Sequence, residues 1–294
     1  METGERTRTK KSASFFWIGS ELPQTELHPD YYFSYDESVS DTARVEQVLK
    51  WLRLPAAQRP HFISLYFSSP DHEAHHYGPA SKETRRAVQH ADTLLSNLMA
   101  GIQKTNLPVN VILVSDHGMI AHKHQSETYI FLDEIIDMDD TSIKTSNGGT
   151  QAHIYVPDVG KRDSIYTSLK SKAVNFSVYK QEEFPPHWHY NNTRSGDLLI
   201  TAHKGYYIRE RNRAKFLGTL KAGSTIGVHG YDAKEVIEMR GIFLAQGPNI
   251  KSGIKIPPFE NVHVYPLVAK ILGLPVVNID GRAQVLEKVY QEQE

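Results

Sequence analysis

The sequence contains no cysteine, which excludes disulfides, thiolate metal sites and cysteine nucleophiles. Any metal ion must therefore bind to histidine and carboxylate side chains. No apolar run is long enough to cross a bilayer, and SASFFWIGSE, after the basic start, is too short and mixed for a signal-peptide core. Neither charge predominates, with 33 Lys+Arg against 34 Asp+Glu, so composition gives no electrostatic argument for binding a nucleic-acid polymer.

The length and the hydrophobic patterns predict one large α/β core. A chain of 294 residues, 39% hydrophobic and 23% charged, suits a single α/β domain or a core with an inserted lobe. Strand and helix patterns alternate, which predicts parallel βα units in a sheet flanked by helices. Buried strands are predicted at 61–67, 109–115 and 241–247, helices at 41–54, from Ser81 and at 264–272, and a candidate inserted lobe at about 141–221.

Three groups of aspartate and histidine stand near predicted strand ends or in tight turns. Asp71 and His75 follow the first strand in the loop PDHEAHHYGP, Asp116 and His117 follow the second directly, and His229 lies between glycines shortly before the third. In open α/β sheets, ligands bind at the carboxyl ends of strands. Aspartate with histidine suits zinc or manganese, and two such ions about 3.5–4 Å apart suit phosphoryl chemistry.

Each group has an ordinary explanation when it is considered alone. A single Asp-x-x-x-His pair in a loop usually binds nothing, Asp-His-Gly at a strand end is often only a turn, and one histidine between glycines is uninformative. Three groups with compatible ligands at the expected positions are harder to explain as turns. Together they predict a metal site.

Longer segments resemble one family, the nucleotide pyrophosphatase/phosphodiesterases of the alkaline phosphatase superfamily. The resemblance is carried, in family order from about Ser12 to the C-terminus, by SASFFWIGSE, YYFSYDESVSDTARVEQVLKWLRLP, LYFSSPDHEAHHYGP, VILVSDHGM, VHGYD and FENVHVYPLVAKILGLP. It implies an alkaline-phosphatase-like α/β fold, a single catalytic domain over 1–294 and two zinc ions. It also implies hydrolysis of phosphodiester or pyrophosphate bonds in nucleotides or nucleotide sugars, releasing a nucleoside 5'-monophosphate.

The resemblance assigns metal ligands position by position. Asp71, His75 and His229 correspond to the ligands of one zinc ion, and Asp116 and His117 to part of the shell of the other. The family's Pro-Asp-x-x-Gly-His pattern has Ala74 in place of the glycine, a small change expected to leave the turn intact.

The resemblance also assigns a substrate pocket. Trp17 and Glu21 match positions that line this pocket in the family, and Tyr35 matches the aromatic residue on which a nucleobase stacks. Without the family, core packing would be the simpler explanation of Trp17 and Tyr35.

One departure from the family pattern concerns catalysis. The family's nucleophilic threonine and one further aspartate ligand lie upstream of the segment matching SASFFW. Here only Met1 to Lys11 precede it, and Thr7 and Thr9 stand in a basic tail without a preceding strand. We therefore expect a chain that begins inside the domain, without the N-terminal strand and helix, without a catalytic nucleophile, with an incomplete second zinc site and with impaired turnover.

Several alternatives remain open at this level. Other superfamily members act on phosphonates, phosphomonoesters or choline phospholipids, although an aromatic pair suits a flat base and so favours nucleotides. A non-catalytic zinc- or nucleotide-binding remnant and a purely structural fragment are two further interpretations. Family members usually act in the periplasm or outside the cell, whereas a chain truly starting at Met1, without a signal peptide, is expected in the cytoplasm. The sequence leaves the oligomeric state open.

Overall fold

The computed structural model describes residues 10–221, 223–276 and 278–292, and the chain divides into two compact units. The first comprises Met1–Pro70, Arg86–Leu113 and Leu244–Glu294, and the second comprises Asp71–Arg85 and Val114–Phe243. The irregular stretch at about 141–221 belongs to the second unit. Thr7 and Thr9 lie outside the described residues. The assignment of 1–294 to one catalytic domain stays a prediction.

The first unit contains a parallel sheet, as the alternating pattern predicts. Strands β1 (Ser12–Phe15), β2 (Tyr31–Phe33) and β3 (Phe62–Leu65) pair in the order β2-β1-β3, all in parallel. Helix α1 (Asp41–Leu52) lies between β2 and β3 in the sequence and begins where the Ser40 hydroxyl accepts a hydrogen bond from the Ala43 amide. Its apolar face joins the β1 aromatic residues in the core of this unit.

The structure confirms the predicted positions of two further helices. Helix α3 (Lys82–Gln103) begins after the Ser81 hydroxyl, which accepts the Thr84 amide hydrogen, and α7 (Val264–Ile271) ends before Gly273. Leu94 and Leu98 of α3 are buried, whereas Val88 is 51% exposed. In the described part of the chain, no helix is both long and apolar enough to cross a membrane.

Three strands that were predicted to be buried lie at sheet edges. Among the described strands, β3 pairs only with β1, and β4 (Val111–Val114) and β13 (Phe243–Gln246) pair only with each other. No residue of these three strands is fully buried, and Phe62 and Leu244 are 41% and 60% exposed. The predictions were wrong on burial because an apolar run indicates a strand, whereas burial also needs neighbours that the run does not specify.

The second unit is built around an antiparallel sheet. Strands β7 (Lys144–Asn147), β8 (Gln151–Tyr155), β9 (Phe176–Lys180) and β10 (Leu198–Ala202) pair in the order β7-β8-β10-β9, with α5 (Val159–Lys172) between β8 and β9 in sequence. Ile154, Val178 and Ile200 from its three longest strands are fully buried. The less regular sequence therefore forms an ordered α/β layer. The unit also contains β5 (Ile120–Lys123), β6 (Tyr129–Phe131), β11 (Tyr207–Arg209), β12 (Thr225–Val228), α2 (Asp71–Tyr77), α4 (Leu132–Ile135) and α6 (Arg213–Thr219).

Candidate active site

The segment that was predicted as a loop around Asp71 and His75 is helix α2. Acidic Asp71 and Glu73 in its first turn favour the helix because they face the positive end of the backbone dipole. The spacing of four residues places Asp71 and His75 on one face, with Asp71 Oδ1 3.5 Å from His75 Nε2. Ala74, at the family's glycine position, is buried within the helix. The helix thus holds the two side chains together more firmly than a loop would.

Ligand atoms from three separate segments of the second unit converge. Asp71 belongs to α2, His117 follows β4 and His229 follows β12, and one ligand atom from each lies within 4.8 Å of the other two. His229 Nε2 lies 3.1 Å from His75 Nε2 and 4.0 Å from Asp71 Oδ1. The rings of His117 and His229 are stacked, with centroids 3.5 Å apart. These contacts form one cluster of imidazole and carboxylate groups.

Asp116 lies at the edge of this cluster. Its Oδ1 accepts a hydrogen bond from the His117 amide at 3.0 Å, and its Oδ2 lies 3.5 Å from His117 Nε2. The side chain is 78% exposed. The structure thus brings together all five residues that the sequence predicts as ligands. The tightest group, however, joins His117 to Asp71 and His229, so the division of the ligands between two ions stays a prediction.

The donor set of the cluster fits a divalent cation. Oxygen Oδ1 of Asp71 is buried and has no hydrogen-bond partner, although 44% of the whole side chain is exposed. A buried carboxylate oxygen without a partner is costly. A cation between this oxygen and the adjacent imidazole nitrogens would satisfy it, and carboxylate with imidazole is a donor set that zinc accepts.

Backbone carbonyl groups fix the tautomers of two histidines. His75 Nδ1 lies 2.9 Å from the Gly227 carbonyl oxygen, and His117 Nδ1 lies 2.9 Å from that of Gly118. Because a carbonyl can only accept, each Nδ1 must carry the proton in these bonds, which leaves the Nε2 lone pair free for a metal ion. Sequence reasoning did not identify these carbonyls, since nothing in the sequence indicates which backbone groups face a histidine.

The electrostatic environment keeps His229 neutral. Burial lowers the pKa of His229, and the adjacent His117 and His75 lower it further, while Asp71 and Asp116 act in the opposite direction. The net effect is a lowered pKa, which favours the uncharged imidazole that binds metal ions.

The first unit contains an aromatic cavity of about 340 Å³. It includes all three residues that the sequence predicts for substrate binding. Trp17 and Tyr35 are 45% and 49% exposed, so core packing does not explain them. Glu21 Oε1 accepts the Tyr35 amide hydrogen at 2.6 Å, which ties two sides of the cavity together. The cavity is lined by Phe16, Trp17, Ile18, Gly19, Glu21, Tyr35 and Tyr66.

The wall of the cavity carries local backbone strain at Phe16. Its φ of 63° lies in the left-handed region, where side chains with a Cβ are uncommon. Arg44, 2% exposed, supports this wall: its guanidinium carbon lies 4.9 Å from the Phe16 ring centre, and it donates to the carbonyl oxygens of Val39 and Tyr66. Sequence reasoning missed Phe16 and Tyr66 as lining residues, although Phe16 directly precedes Trp17 in the family-like segment.

The comparisons with known proteins agree with this architecture. The family model for type I phosphodiesterase/nucleotide pyrophosphatase matches residues 1–232. The chain therefore belongs to the type I phosphodiesterase/nucleotide pyrophosphatase family. Relatives with known names in this family are hydrolases: phosphodiesterases and nucleotide pyrophosphatases.

The sequence relatives include venom enzymes and ectoenzymes. A venom phosphodiesterase of Crotalus durissus collilineatus is 34% identical over 279 residues, which cover 92% of this chain and 32% of the relative. Ectonucleotide pyrophosphatase/phosphodiesterase family member 7 of Rattus norvegicus is 30% identical over 295 residues, covering 94% of this chain and 63% of the relative. The chain thus spans about a third of the length of the venom enzymes that it matches.

Solved structures show the same fold. Murine ectonucleotide pyrophosphatase/phosphodiesterase 5 matches with a TM-score of 0.83 and 28% identity, over 96% of this chain and 72% of that one. An inactive variant of the murine enzyme, in complex with AMP, matches equally well. This likeness confirms the predicted alkaline-phosphatase-like α/β fold.

Proposed function

We propose that this chain hydrolyses phosphodiester or pyrophosphate bonds in nucleotides and releases a nucleoside 5'-monophosphate. The observation that carries the proposal is the convergence of Asp71, His117 and His229 within 4.8 Å, inside a chain of this family. His75 and Asp116 adjoin these three residues and complete the donor set. The five residues would hold zinc, two ions in all, with the second site short of one ligand.

The residues of the cluster have distinct roles in this proposal. Zinc, when bound, supplies a Lewis acid that neutralises negative charge on a phosphoryl group. Asp71 supplies the anionic ligand, and the carbonyl-bound tautomers of His75 and His117 present unprotonated nitrogens. Because imidazole binds zinc only in its neutral form, metal binding should weaken as the pH falls.

The aromatic cavity of the first unit would take the nucleobase. Trp17 and Tyr35 offer exposed rings for stacking on a flat base, and Glu21 holds the Tyr35 backbone in place. The AMP complex of the murine relative supports a nucleotide as ligand. The competing substrate classes are phosphonates, phosphomonoesters and choline phospholipids. None of these classes requires a flat base that would stack in the aromatic cavity.

The 294-residue polypeptide assayed by itself should turn over slowly. No residue of this polypeptide corresponds to the family's nucleophilic threonine. Loss of a covalent nucleophile costs about 10⁴–10⁶ in rate. Relative to typical enzymes at about 1–10³ per second, we expect far less than one turnover per second. Binding of zinc and nucleotide without any turnover is the limiting form of this impairment.

Product analysis by chromatography tests the proposed reaction. The purified polypeptide, loaded with zinc, is incubated with ATP, with UDP-glucose and with 4-nitrophenyl phosphorylcholine for several hours. We expect AMP and UMP as slow products from the nucleotides and little cleavage of the choline ester. Equal rates on all three compounds would refute nucleotide preference, and turnover at enzyme-typical rates would refute the impairment.

A substitution in the aromatic cavity tests whether the cavity binds the nucleobase. Tyr35→Ala should lower nucleotide cleavage and nucleotide affinity while leaving zinc affinity unchanged, because Tyr35 is not among the proposed ligands. If Tyr35→Ala cleaved ATP and bound AMP as the wild type does, the aromatic cavity would have no part in substrate binding.

A further inference from the structure

The loop that carries His229 is held in place by hydrogen bonds at every one of its residues. This loop comprises His229, Gly230, Tyr231 and Asp232, and it follows β12 in the second unit. Each of its four residues is bonded to a side chain or backbone group elsewhere in that unit. A loop that only connected two elements would not need a partner at every position.

The first anchor acts on His229 itself. Thr150 is 2% exposed, and its hydroxyl donates to the His229 carbonyl oxygen at 3.0 Å. The next residue of the sheet, Gln151, donates from Nε2 to the Gly230 carbonyl oxygen at 3.2 Å. Gly230 has a φ of 103°, and a Cβ there would lie 2.3 Å from the Thr150 hydroxyl oxygen. The hydroxyl and the glycine therefore fit each other closely and fix the backbone at the histidine.

The second anchor lies three residues after His229. Asp232 Oδ2 accepts from the Trp188 indole N–H at 2.9 Å and lies 3.0 Å from His187 Nε2, while Oδ1 accepts from the Lys234 amide at 2.8 Å. Burial alone would raise the pKa of Asp232, but these bonds outweigh it and keep the pKa below its ordinary value. The carboxylate is thus ionised and bound on both oxygens.

Between the two anchors, the Tyr231 side chain packs into the second unit. Tyr231 is 8% exposed, and its hydroxyl donates to the Tyr206 carbonyl oxygen at 2.6 Å. The backbone on both sides of the His229 imidazole is therefore fixed by buried or bound groups. Removal of a partner bonded to the ring of a metal-binding histidine typically lowers metal affinity 10–100-fold, and groups that fix the histidine backbone orient the same ring less directly.

We infer that Thr150 and the Asp232–Trp188 pair are positioning residues that hold His229 at the metal cluster. The inference rests on the proposed function, because it assumes that His229 is a metal ligand. Neither Thr150 nor Trp188 belongs to the proposed ligand set. They act through the His229 backbone, so their loss should lower zinc affinity without removing a ligand.

Zinc titration of the full 294-residue chain, monitored by calorimetry, tests this inference. Thr150→Val removes the hydroxyl at nearly constant volume and should weaken zinc binding by about 10-fold, the lower end of the loss for partners bonded to the ring itself, whereas Thr150→Ser should keep affinity close to that of the wild type. Trp188→Phe should give a smaller loss in the same direction. Thr128→Val is the matched control, since the Thr128 hydroxyl likewise donates to backbone carbonyl groups but in a turn without proposed ligands.

The design separates failure of the inference from failure of the proposed function. If the wild type bound no zinc, or if His229→Ala bound zinc as well as the wild type, the proposed function itself would be wrong. If His229→Ala lost zinc while folded Thr150→Val and Trp188→Phe kept wild-type affinity, only the positioning role would be overturned. Thermal unfolding without metal shows that each variant is folded. If Thr150→Val does not fold, the zinc affinity of Trp188→Phe decides.

Discussion

The histidines of the second unit lie in two different kinds of environment. His75, His117 and His229 face a carboxylate and one another, and their neighbours keep lone pairs available for a metal ion. His122, on β5, is 1% exposed and packs against Tyr129 and Tyr207 instead. Residue type alone therefore does not separate a ligand from a core histidine, whereas the groups around it do.

His122 should make the protein sensitive to acid. Burial lowers its pKa to about 4, and the nearby His124 and Arg209 contribute to the shift. The unfolded chain, with a pKa near 6.5, binds more protons between about pH 4 and 6.5, so stability falls as pH drops through this window. The loss from His122 alone should be about 2 kcal/mol at about pH 5 relative to neutral pH.

Urea unfolding of the metal-free chain at neutral pH and near pH 5 measures this effect. His122→Asn cannot gain a proton in this range and should lose about 2 kcal/mol less than the wild type on acidification. Exposed His61, changed to Asn, is the control and should leave the acid sensitivity as it is in the wild type. An identical pH dependence in His122→Asn and the wild type would show that His122 is not a source of the acid sensitivity.

At the scale of elements, the metal cluster depends on the close approach of α2 to β12. A Cβ at Gly227 of β12 would lie 2.3 Å from the Ala74 carbonyl oxygen of α2 and 2.1 Å from Met119 Sδ. Only glycine allows this approach, which also brings the Gly227 carbonyl to His75. We expect Gly227→Ala to push the helix from the strand, destabilise the fold by about 1–3 kcal/mol and weaken zinc binding.

A second glycine to alanine substitution gives the comparison for this prediction. Gly218 lies in helix α6, and a Cβ there meets nothing within 4 Å, so Gly218→Ala should stabilise the fold by about 0.5–1 kcal/mol. Denaturant unfolding measures both changes, and a zinc titration accompanies it. The close-packing argument fails if Gly227→Ala is as stable as the wild type and binds zinc equally well.

Elements with strong local signals were predictable, and those that depend on distant partners were not. Helices α1, α3 and α7 have periodic apolar faces and clear starts or stops, and their predictions were confirmed. Helix α2 was mistaken for a loop because six of its seven residues are polar or aromatic, which leaves little apolar periodicity. Strands β7 and β8 form a short hairpin, but β10 pairs with β8 and β9 across longer connections, which local sequence patterns do not encode.

The sequence was sufficient to pick out the candidate ligands that the structure brings together, but not the groups that support them. Asp71, His75 and His229 stood out because aspartate, histidine and glycine combinations are informative and matched a family pattern. Thr150 and Asp232 support the site through hydrogen bonds between residues 44 to 79 positions apart in the chain. Threonine and aspartate are common on any surface, so no local signal marked them.

At the scale of the whole molecule, each unit carries one part of what the family resemblance implies. The second unit contains the cluster of candidate metal ligands, and the first contains the aromatic cavity. The chain spans about a third of the length of the venom enzymes that it matches, and those relatives are named phosphodiesterases.

Hydrolysis of 4-nitrophenyl thymidine monophosphate by the zinc-loaded 294-residue polypeptide tests the central claim most directly. The assay is run with and without a chelator, with His229→Ala, and with His203→Ala as a control, because His203 bonds to Ser177 outside the cluster. We predict slow turnover that the chelator stops and zinc restores, that His229→Ala abolishes and that His203→Ala retains. Turnover that neither the chelator nor His229→Ala reduces would contradict the metal-dependent phosphodiesterase assignment.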